Sequence, residues 1–166
     1  MSRDNELLRR TLALAEEAGR RGNRPFGAVI ATSGGVVLAE GRNEVAESGV
    51  ITAHAELTAI AHATDAGLVA DLAGGTVYAS GEPCPMCAAA MVWAGITRIV
   101  FAAAEPDFGA IIGGHPRFDL RCSQVIAASD AEIEVSGPHL GEDALIPFRR
   151  YVDSRPEHIE QHRETP

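Results

Sequence analysis

Lysine is absent from this chain of 166 residues, and its absence narrows the classes of partner that the protein can bind. All 14 basic residues are arginines, and the 23 acidic residues give a formal net charge of −9 (14 − 23). Proteins that bind nucleic-acid phosphates need a basic surface, so the composition argues against nucleic acid as a partner. A local basic patch would still be compatible with this total.

Long apolar segments are also missing. The apolar run from Ala88 to Ile96 is far shorter than the roughly 20 residues that a transmembrane helix requires. The first ten residues mix both charge signs and have no apolar core, so we expect no secretory signal, no membrane partner and a cytoplasmic location. The chain length suits one compact domain, which we expect over 1–152, followed by a polar C-terminal tail over 153–166 that could close an active site.

Cysteine is scarce as well. Cys84, Cys87 and Cys122 are too few for a framework of paired disulfides. Cys84 and Cys87 are spaced as C-x₂-C, which in a cytoplasmic protein indicates metal binding or dithiol redox chemistry.

Helical and strand patterns alternate along the chain. An apolar stripe predicts a first helix from Asn5 to Gly22, and Thr52 is a candidate N-cap for a helix over 53–66. Further helices are predicted over 86–94 and 142–152, and strands over 27–31, 36–39, 76–80, 98–102 and 133–135. The Gly- and Pro-rich segment 105–123 is expected to be irregular, with one short helix at most. This alternation predicts an α/β fold, a three-layer α/β/α sandwich.

Two short motifs carry the chemistry. His54-Ala55-Glu56 and Pro83-Cys84-Pro85-Met86-Cys87 each stand where a helix is predicted to begin, and H-x-E followed by P-C-x-x-C is a known signature of zinc deaminases. Two thiols at i and i+3 can point to one metal ion, and a helix N-terminus favours their thiolate forms. His54 would be the third ligand. Three protein ligands with an open fourth position are typical of a catalytic zinc site, so we expect one Zn²⁺ per chain.

Glu56 is the candidate catalytic residue. Zn²⁺ with two thiolates and a neutral imidazole has no net charge, so it acidifies water less than a site with three imidazoles would. A carboxylate beside that water can act as general acid and base. In one alternative, Cys122 completes a closed structural site with His54, Cys84 and Cys87, and Glu56 is only a solvated residue at a helix start. In another, the two spaced cysteines are a redox pair, which leaves His54 and Glu56 without a role. We prefer to interpret Cys122 as a small buried hydrophobe.

With these motifs, the chain resembles the cytidine deaminase-like superfamily, in the branch that holds guanine, cytosine and tRNA adenosine deaminases. The resemblance extends over roughly Asn5 to Ala104 and is carried by Pro25–Ile30, Gly41–Asn43, His54–Glu56 and Glu82–Cys87. It implies a mixed five-stranded sheet with helices on both faces, and a homodimer or higher oligomer.

The same resemblance implies a set of substrate contacts. Asn43 would bind the base through its amide, Phe26 would stack on it, and the backbone at Ala55 would add a polar contact. Glu105 and Asp107 lie where guanine deaminases have an acidic substrate contact. As alternatives, Asn43 could simply close a turn and Phe26 could belong to the core.

The activity implied is hydrolytic deamination of an amino-substituted nucleobase to its keto form, with release of ammonia. Guanine and cytosine are the favoured substrates, and an amino-triazine is chemically admissible. The charge of −9 favours a small base over the anticodon that tRNA adenosine deaminases bind, although that activity is retained as the alternative. A non-catalytic zinc scaffold is a further alternative, against which Glu56 argues because the metal does not need that carboxylate.

The C-terminal tail bears on the choice between the two bases. No Tyr or Trp follows Tyr151, which weakens the resemblance to guanine deaminases, whereas Asp153–Pro156 resembles the end of fungal cytosine deaminases. Glu157, Glu160 or His162 could then act as a gate over the site, or could be part of a solvated tail.

Overall fold

A five-stranded mixed sheet is the middle layer of the structure, a computed structural model that describes residues 1–155. The strands are β1 (Gly27–Ala31), β2 (Val37–Arg42), β3 (Thr76–Gly81), β4 (Arg98–Ala103) and β5 (Glu134–Ser136). They lie in the order β2-β1-β3-β4-β5. Strand β1 is antiparallel to β2 and β3, whereas β3, β4 and β5 are parallel to one another. The predicted mixed five-stranded sheet is therefore confirmed.

Helices cover both faces of the sheet. They are α1 (Arg3–Arg20), α2 (Val45–Ser48), α3 (Ala55–Asp65), α4 (Val69–Leu72), α5 (Pro85–Trp93), α6 (Glu105–Ile112), α7 (Cys122–Ala127) and α8 (Ile146–Asp153), with a 3₁₀ turn over Gly141–Leu145. Helices α1, α6 and α8 contribute to the apolar cluster on one face, and α3, α5 and α7 contribute to the cluster on the other. The predicted three-layer α/β/α sandwich is thus confirmed.

Strand β1 packs against helices on both faces of the sheet. All five of its residues are buried. Ala28 and Ile30 face the cluster that includes α3, while Val29 and Ala31 face the cluster that includes α1. Because successive side chains of a strand point to opposite faces, a continuous apolar run is what a strand covered on both sides requires.

Strand β2 touches helix α3 without an intervening side chain. A Cβ atom added at Gly41 would lie 2.3 Å from the carbonyl oxygen of Ala55 and 2.5 Å from the backbone nitrogen of Ala59. Only glycine allows an approach this close. The N-terminal turn of α3, which follows His54 and contains Glu56, is therefore set directly by the backbone of the sheet.

The predicted start of α3 at Ala53, with Thr52 as its cap, is wrong. The helix begins at Ala55, and its N-cap is His54, whose backbone is extended (φ −70°, ψ 156°). The Ala53 carbonyl accepts a hydrogen bond from the Glu44 N–H at 2.9 Å. This contact keeps Ala53 out of the helix and leaves His54 at its entrance.

The segment 105–123 is more regular than its glycine content predicts. It holds the one short helix that the pattern allows, α6, and also the start of α7, which the pattern does not predict. Helix α6 forms because Phe108 is buried in the cluster beside α1 and because proline, here Pro106, is compatible with a first helical turn. In α7, the Gln124 Oε1 accepts a hydrogen bond from the Arg121 N–H at 2.7 Å.

Helix α8 ends at Asp153, close to the predicted domain boundary at 152. The gate candidates Glu157, Glu160 and His162 lie outside the described residues, so the tail of the predicted domain organisation stays a prediction. Within residues 1–155, no helix has both the length and the apolar character that crossing a membrane demands.

Candidate active site

The candidate metal ligands stand at the entrances of two helices. His54 is the N-cap of α3 and Cys84 is the N-cap of α5, both with extended backbone. Pro85 then occupies the first turn of α5, where its missing N–H has no cost, and Cys87 follows on the same turn. The partial positive charge of the helix N-termini favours thiolates at these positions.

The three side chains converge on one point. The His54 Nδ1 lies 3.5 Å from the Cys84 Sγ and 3.7 Å from the Cys87 Sγ, and all three donor atoms lie within 4.8 Å of one another. Tetrahedral zinc with ordinary Zn–N and Zn–S bonds would place such atoms about 3.6 Å apart. The donor set therefore fits a zinc ion in both chemistry and spacing.

Cys122 does not belong to this group among the described residues. It is fully buried in the cluster that also contains Met91 and Ile126. Burial, and after it the charge of Glu82, raises the pKa of the Cys122 thiol to about 12. These surroundings agree with a small buried hydrophobe and do not provide a closed site with four protein ligands.

The two ligand thiols do not share the same pKa. Hydrogen bonding to Cys87 lowers the pKa of Cys84 to about 4, with a further contribution from His54. The same pairing raises the pKa of Cys87. A dication bound between the two sulfurs would favour the thiolate form of both, because metal binding requires deprotonated thiols.

Glu56 is a buried carboxylate next to this group. It is 6% exposed and makes no ion pair with any residue in 1–155. Burial, followed by the negative charge of Cys84, raises the pKa of Glu56 to about 6. A carboxyl group with such a pKa can both accept and release a proton near neutral pH, as a general acid and base must.

Asn43 has one half of its amide committed and the other half available. Its Oδ1 accepts a hydrogen bond from the Val45 N–H at 3.2 Å. The backbone N–H of Asn43 donates to the Phe26 carbonyl at 3.0 Å. Because a backbone N–H can only donate, the contact with Val45 identifies the amide oxygen. The Nδ2 group has no acceptor in the part of the chain that the structure describes, so it is available to a ligand.

A buried asparagine that sequence reasoning missed holds the segment after Asn43. Asn23 is fully buried, and its Oδ1 accepts from the N–H groups of Ala46 at 3.0 Å and Glu47 at 3.2 Å. Its Nδ2 donates to the Glu47 Oε2 at 2.6 Å, and the Arg42 Nη1 reaches the same oxygen at 2.9 Å. Nothing in the local sequence of Asn23 indicates these partners, since they lie more than 20 residues away.

Phe26 combines both interpretations that the sequence allows. Its ring packs edge-on against Phe108 at 5.3 Å and Phe148 at 5.4 Å between centroids, as a core residue would. It is nevertheless only partly buried, and the Arg24 guanidinium lies 5.7 Å from its centroid. Stacking on a substrate base stays a prediction.

The remaining predicted contacts differ in their placement. Ala55 is buried at the first position of α3, and its N–H has no backbone acceptor within residues 1–155. Glu105 donates its N–H to the Glu82 Oε2 at 3.1 Å, and its carboxylate faces Arg117 at 3.8 Å. Asp107 is exposed. The roles of all three in binding stay predictions.

Comparison with known proteins agrees with this geometry. The family model described as the cytidine and deoxycytidylate deaminase zinc-binding region matches residues 1–103. A probable cytosine deaminase from Schizosaccharomyces pombe is 30% identical over 154 residues, which cover 91% of this chain and 93% of the relative. A tRNA-specific adenosine deaminase from Agrobacterium fabrum is 37% identical over 114 residues, 69% of this chain and 74% of the relative.

Solved structures extend the similarity to the fold. The structure of a guanine deaminase from Nitrosomonas europaea has a TM-score of 0.73 and 28% identity, with coverage of 87% of this chain and 82% of that one. The chain is therefore similar in sequence or in fold to deaminases that are named for different substrates. The match over residues 1–103 and the S. pombe relative show that the chain belongs to the cytidine and deoxycytidylate deaminase family of zinc-binding hydrolases.

Proposed function

We propose that this deaminase removes the exocyclic amino group from a free nucleobase of guanine or cytosine type. The observation that carries the proposal is the Glu56 carboxylate, which is buried beside the donor group and has no ion-pair partner within residues 1–155. A buried carboxylate without a counter-ion is costly to a fold. Its presence next to two cysteines and a histidine is best explained by proton transfer.

A zinc ion held by His54, Cys84 and Cys87 would supply an acidified water as the nucleophile. Glu56 would accept a proton from the attacking water and deliver it to the ring nitrogen next to the carbon under attack. It would then take the remaining proton from the newly added hydroxyl group and deliver it to the exocyclic amine. A C–O bond forms at this carbon, the C–N bond to the amine breaks, and ammonia leaves, so the amidine becomes a lactam.

The side-chain amide of Asn43 supports the choice of base. Its oxygen already accepts the Val45 N–H, whereas its Nδ2 has no acceptor within residues 1–155 and can donate to a ligand. Guanine and cytosine both carry a ring carbonyl that accepts such a bond, and adenine does not. An amino-triazine that carries a keto group would satisfy the same donor.

A tRNA adenosine deaminase is the second candidate, and the relative from A. fabrum is the observation that favours it. The net charge of −9 and the absence of lysine weigh against it, because an RNA ligand is bound largely through its phosphates. We therefore place the free base first.

We also propose one zinc ion per chain, a homodimer, and a role in cytoplasmic nucleobase salvage. Support for the dimer comes from Trp93, which is 88% exposed at the end of the apolar helix α5. Tryptophan is enriched at protein–protein interfaces relative to the rest of the surface, which is the support for a second molecule at this position. Metal analysis tests the zinc content per chain, and light scattering tests the oligomeric state.

A substrate panel tests the proposal. Ammonia release is measured with guanine, cytosine, adenine, their nucleosides, ammeline and an anticodon stem-loop, using Glu56→Gln at equal metal content as the inactive control. We expect turnover of guanine, cytosine or ammeline by the wild type and none by the variant. Turnover of the stem-loop alone would refute the free-base proposal, and no turnover of any compound would favour the non-catalytic scaffold.

A further inference from the structure

Glu82 is a second buried carboxylate near the metal ligands, and its environment is the reverse of that of Glu56. It follows strand β3 directly and precedes Cys84 by two residues. Its side chain is only 4% exposed. Resemblance to known deaminases gives it no part in the chemistry, and burial of an acid at this position requires an explanation.

Three residues from two segments of the chain donate hydrogen bonds to this one carboxylate. The Glu105 N–H, at the start of α6, reaches Oε2 at 3.1 Å, and the Cys122 N–H, at the start of α7, reaches Oε1 at 3.1 Å. The Arg121 Nε lies 2.9 Å from Oε1 and 3.0 Å from Oε2, and its Nη2 lies 2.5 Å from Oε2. Both oxygens are fully used, which is what stabilises a buried charge.

The charge of Glu82 is held in place by these donors. Burial alone would raise the pKa of the carboxyl, but the hydrogen bonds from Arg121 and from the two backbone N–H groups outweigh burial and lower it. All five hydrogen bonds to this carboxylate come from N–H groups, and together they hold the side chain in one position. Because Glu82 lies two residues before Cys84, this anchor acts on the turn that leads to the first thiol ligand.

We propose that Glu82 and Arg121 form a positioning pair that fixes the two thiolate ligands. The Glu82 N–H donates to the Ala103 carbonyl at 2.8 Å, and the contacts of the Glu82 side chain add to this one backbone bond in holding the start of the turn that leads to Cys84. The pair ties this turn to α7, and α7 packs beside α5 through Cys122 and Ile126 in the cluster that contains Cys87. Loss of the pair frees the turn that precedes Cys84 and the helix that carries Cys87.

This inference rests on the metal site of the proposed function, and it does not depend on which base is the substrate. Groups that orient metal ligands in this way change metal affinity or activity about 10- to 100-fold when they are altered. Arg121 is the better position to change, because its side chain is 40% exposed and its loss leaves no cavity in the core. Arg149, which pairs with Glu142 at the surface, is the matched control.

The experiment measures zinc affinity of the full chain by competition with a chelator, for wild type, Arg121→Met, Arg121→Lys and Arg149→Met. Visible spectra of the Co²⁺-substituted proteins report the geometry of the thiolates. We expect Arg121→Met to weaken zinc binding about 10- to 100-fold and to shift the Co²⁺ bands. Arg121→Lys should give an intermediate result, because lysine keeps the positive charge but cannot bind both carboxylate oxygens as the planar guanidinium does. Arg149→Met should match the wild type.

The proposal is wrong if Arg121→Met lowers the melting temperature but leaves zinc affinity and the Co²⁺ spectrum unchanged, because the pair would then serve stability only. Glu82→Gln should reproduce Arg121→Met, and the double variant should be no weaker than either single one. If Glu82→Gln does not fold, Arg121→Met decides alone. A chain that binds metal tightly but deaminates no compound would refute the proposed function and leave this inference intact.

Discussion

The two ends of the parallel strands β3 and β4 each have an acidic side chain at a charged cluster, but the surroundings of the two acids differ. At the end where the strands finish, Glu56 is buried with no ion-pair partner within residues 1–155. At the end where they start, Asp4 of α1 accepts hydrogen bonds from the Arg98 Nη1 at 3.0 Å and Nη2 at 2.7 Å. The Tyr78 hydroxyl donates to the same carboxylate at 2.7 Å.

The pKa values of Glu56 and Asp4 depend on their hydrogen-bond partners as well as on burial. The pKa of Glu56 is raised to about 6, chiefly by burial, while the hydrogen bonds from Arg98 keep the pKa of Asp4 below its usual value. Burial and the bond to Asp4 raise the pKa of Tyr78 to about 12. Under the proposed function the Glu56 cluster moves a proton, whereas the Asp4 cluster keeps Asp4 ionised and the Tyr78 hydroxyl protonated.

The largest effect on kcat is expected when the length of an acidic side chain is changed by one methylene group, at Glu56 and, for comparison, at Asp4. Glu56→Asp keeps the charge but withdraws the carboxylate, and a displacement of about 1 Å at a reacting group can cost about 10²-fold in rate. We expect kcat to fall by about that factor, with metal content unchanged, whereas Asp4→Glu should leave kcat at the wild-type value. A drop in kcat for Asp4→Glu would erase the distinction between the two ends.

A smaller effect is expected on stability. Asp4→Asn removes the charge that Arg98 and Tyr78 bind, and we expect the free energy of unfolding to fall by about 1–2 kcal/mol. The control is Asp143→Asn, whose exposed pair with Arg9 should be worth about 0–1 kcal/mol. Urea unfolding followed by circular dichroism measures both. Equal losses for the two variants would mean that the Asp4 cluster is an ordinary surface pair.

The smallest effect concerns pH. Because the folded-state pKa of Asp4 is depressed, its stabilisation is present above the ordinary aspartate pKa of about 3.9 and is lost as pH falls through the folded-state value. The difference in unfolding free energy between wild type and Asp4→Asn should therefore shrink as pH is lowered below about 4. A difference that stays constant from pH 7 to pH 3 would contradict the assignment.

Sequence patterns predicted the parts of this molecule that are local. His54, Cys84 and Cys87 lie in short motifs, and the structure brings their donor atoms within 4.8 Å. Strands β1 to β5 stand where apolar runs predict them, within a few residues. Helix periodicity and motif spacing depend on neighbours in the chain, and these are visible in one sequence.

Features that depend on distant partners could not be predicted in this way. Glu82 is held by Arg121, which is 39 residues away, and Asn23 is held by Glu47, which is 24 residues away. The true start of α3 depends on the bond from Glu44 to Ala53, which overrides the capping preference of Thr52. In each case, tertiary contacts decided between local options that the sequence left nearly equal.

Gly41 sets how closely strand β2 can approach helix α3, which carries the proposed catalytic residue Glu56. With backbone against backbone, a methyl group at this position would force α3 away from the sheet and carry His54 and Glu56 with it. A fraction of an ångström at strand β2 would therefore become a fraction of an ångström at the reacting atoms. Under the proposed function, substitution of Gly41 is therefore expected to affect the geometry of the reaction as well as the stability of the fold.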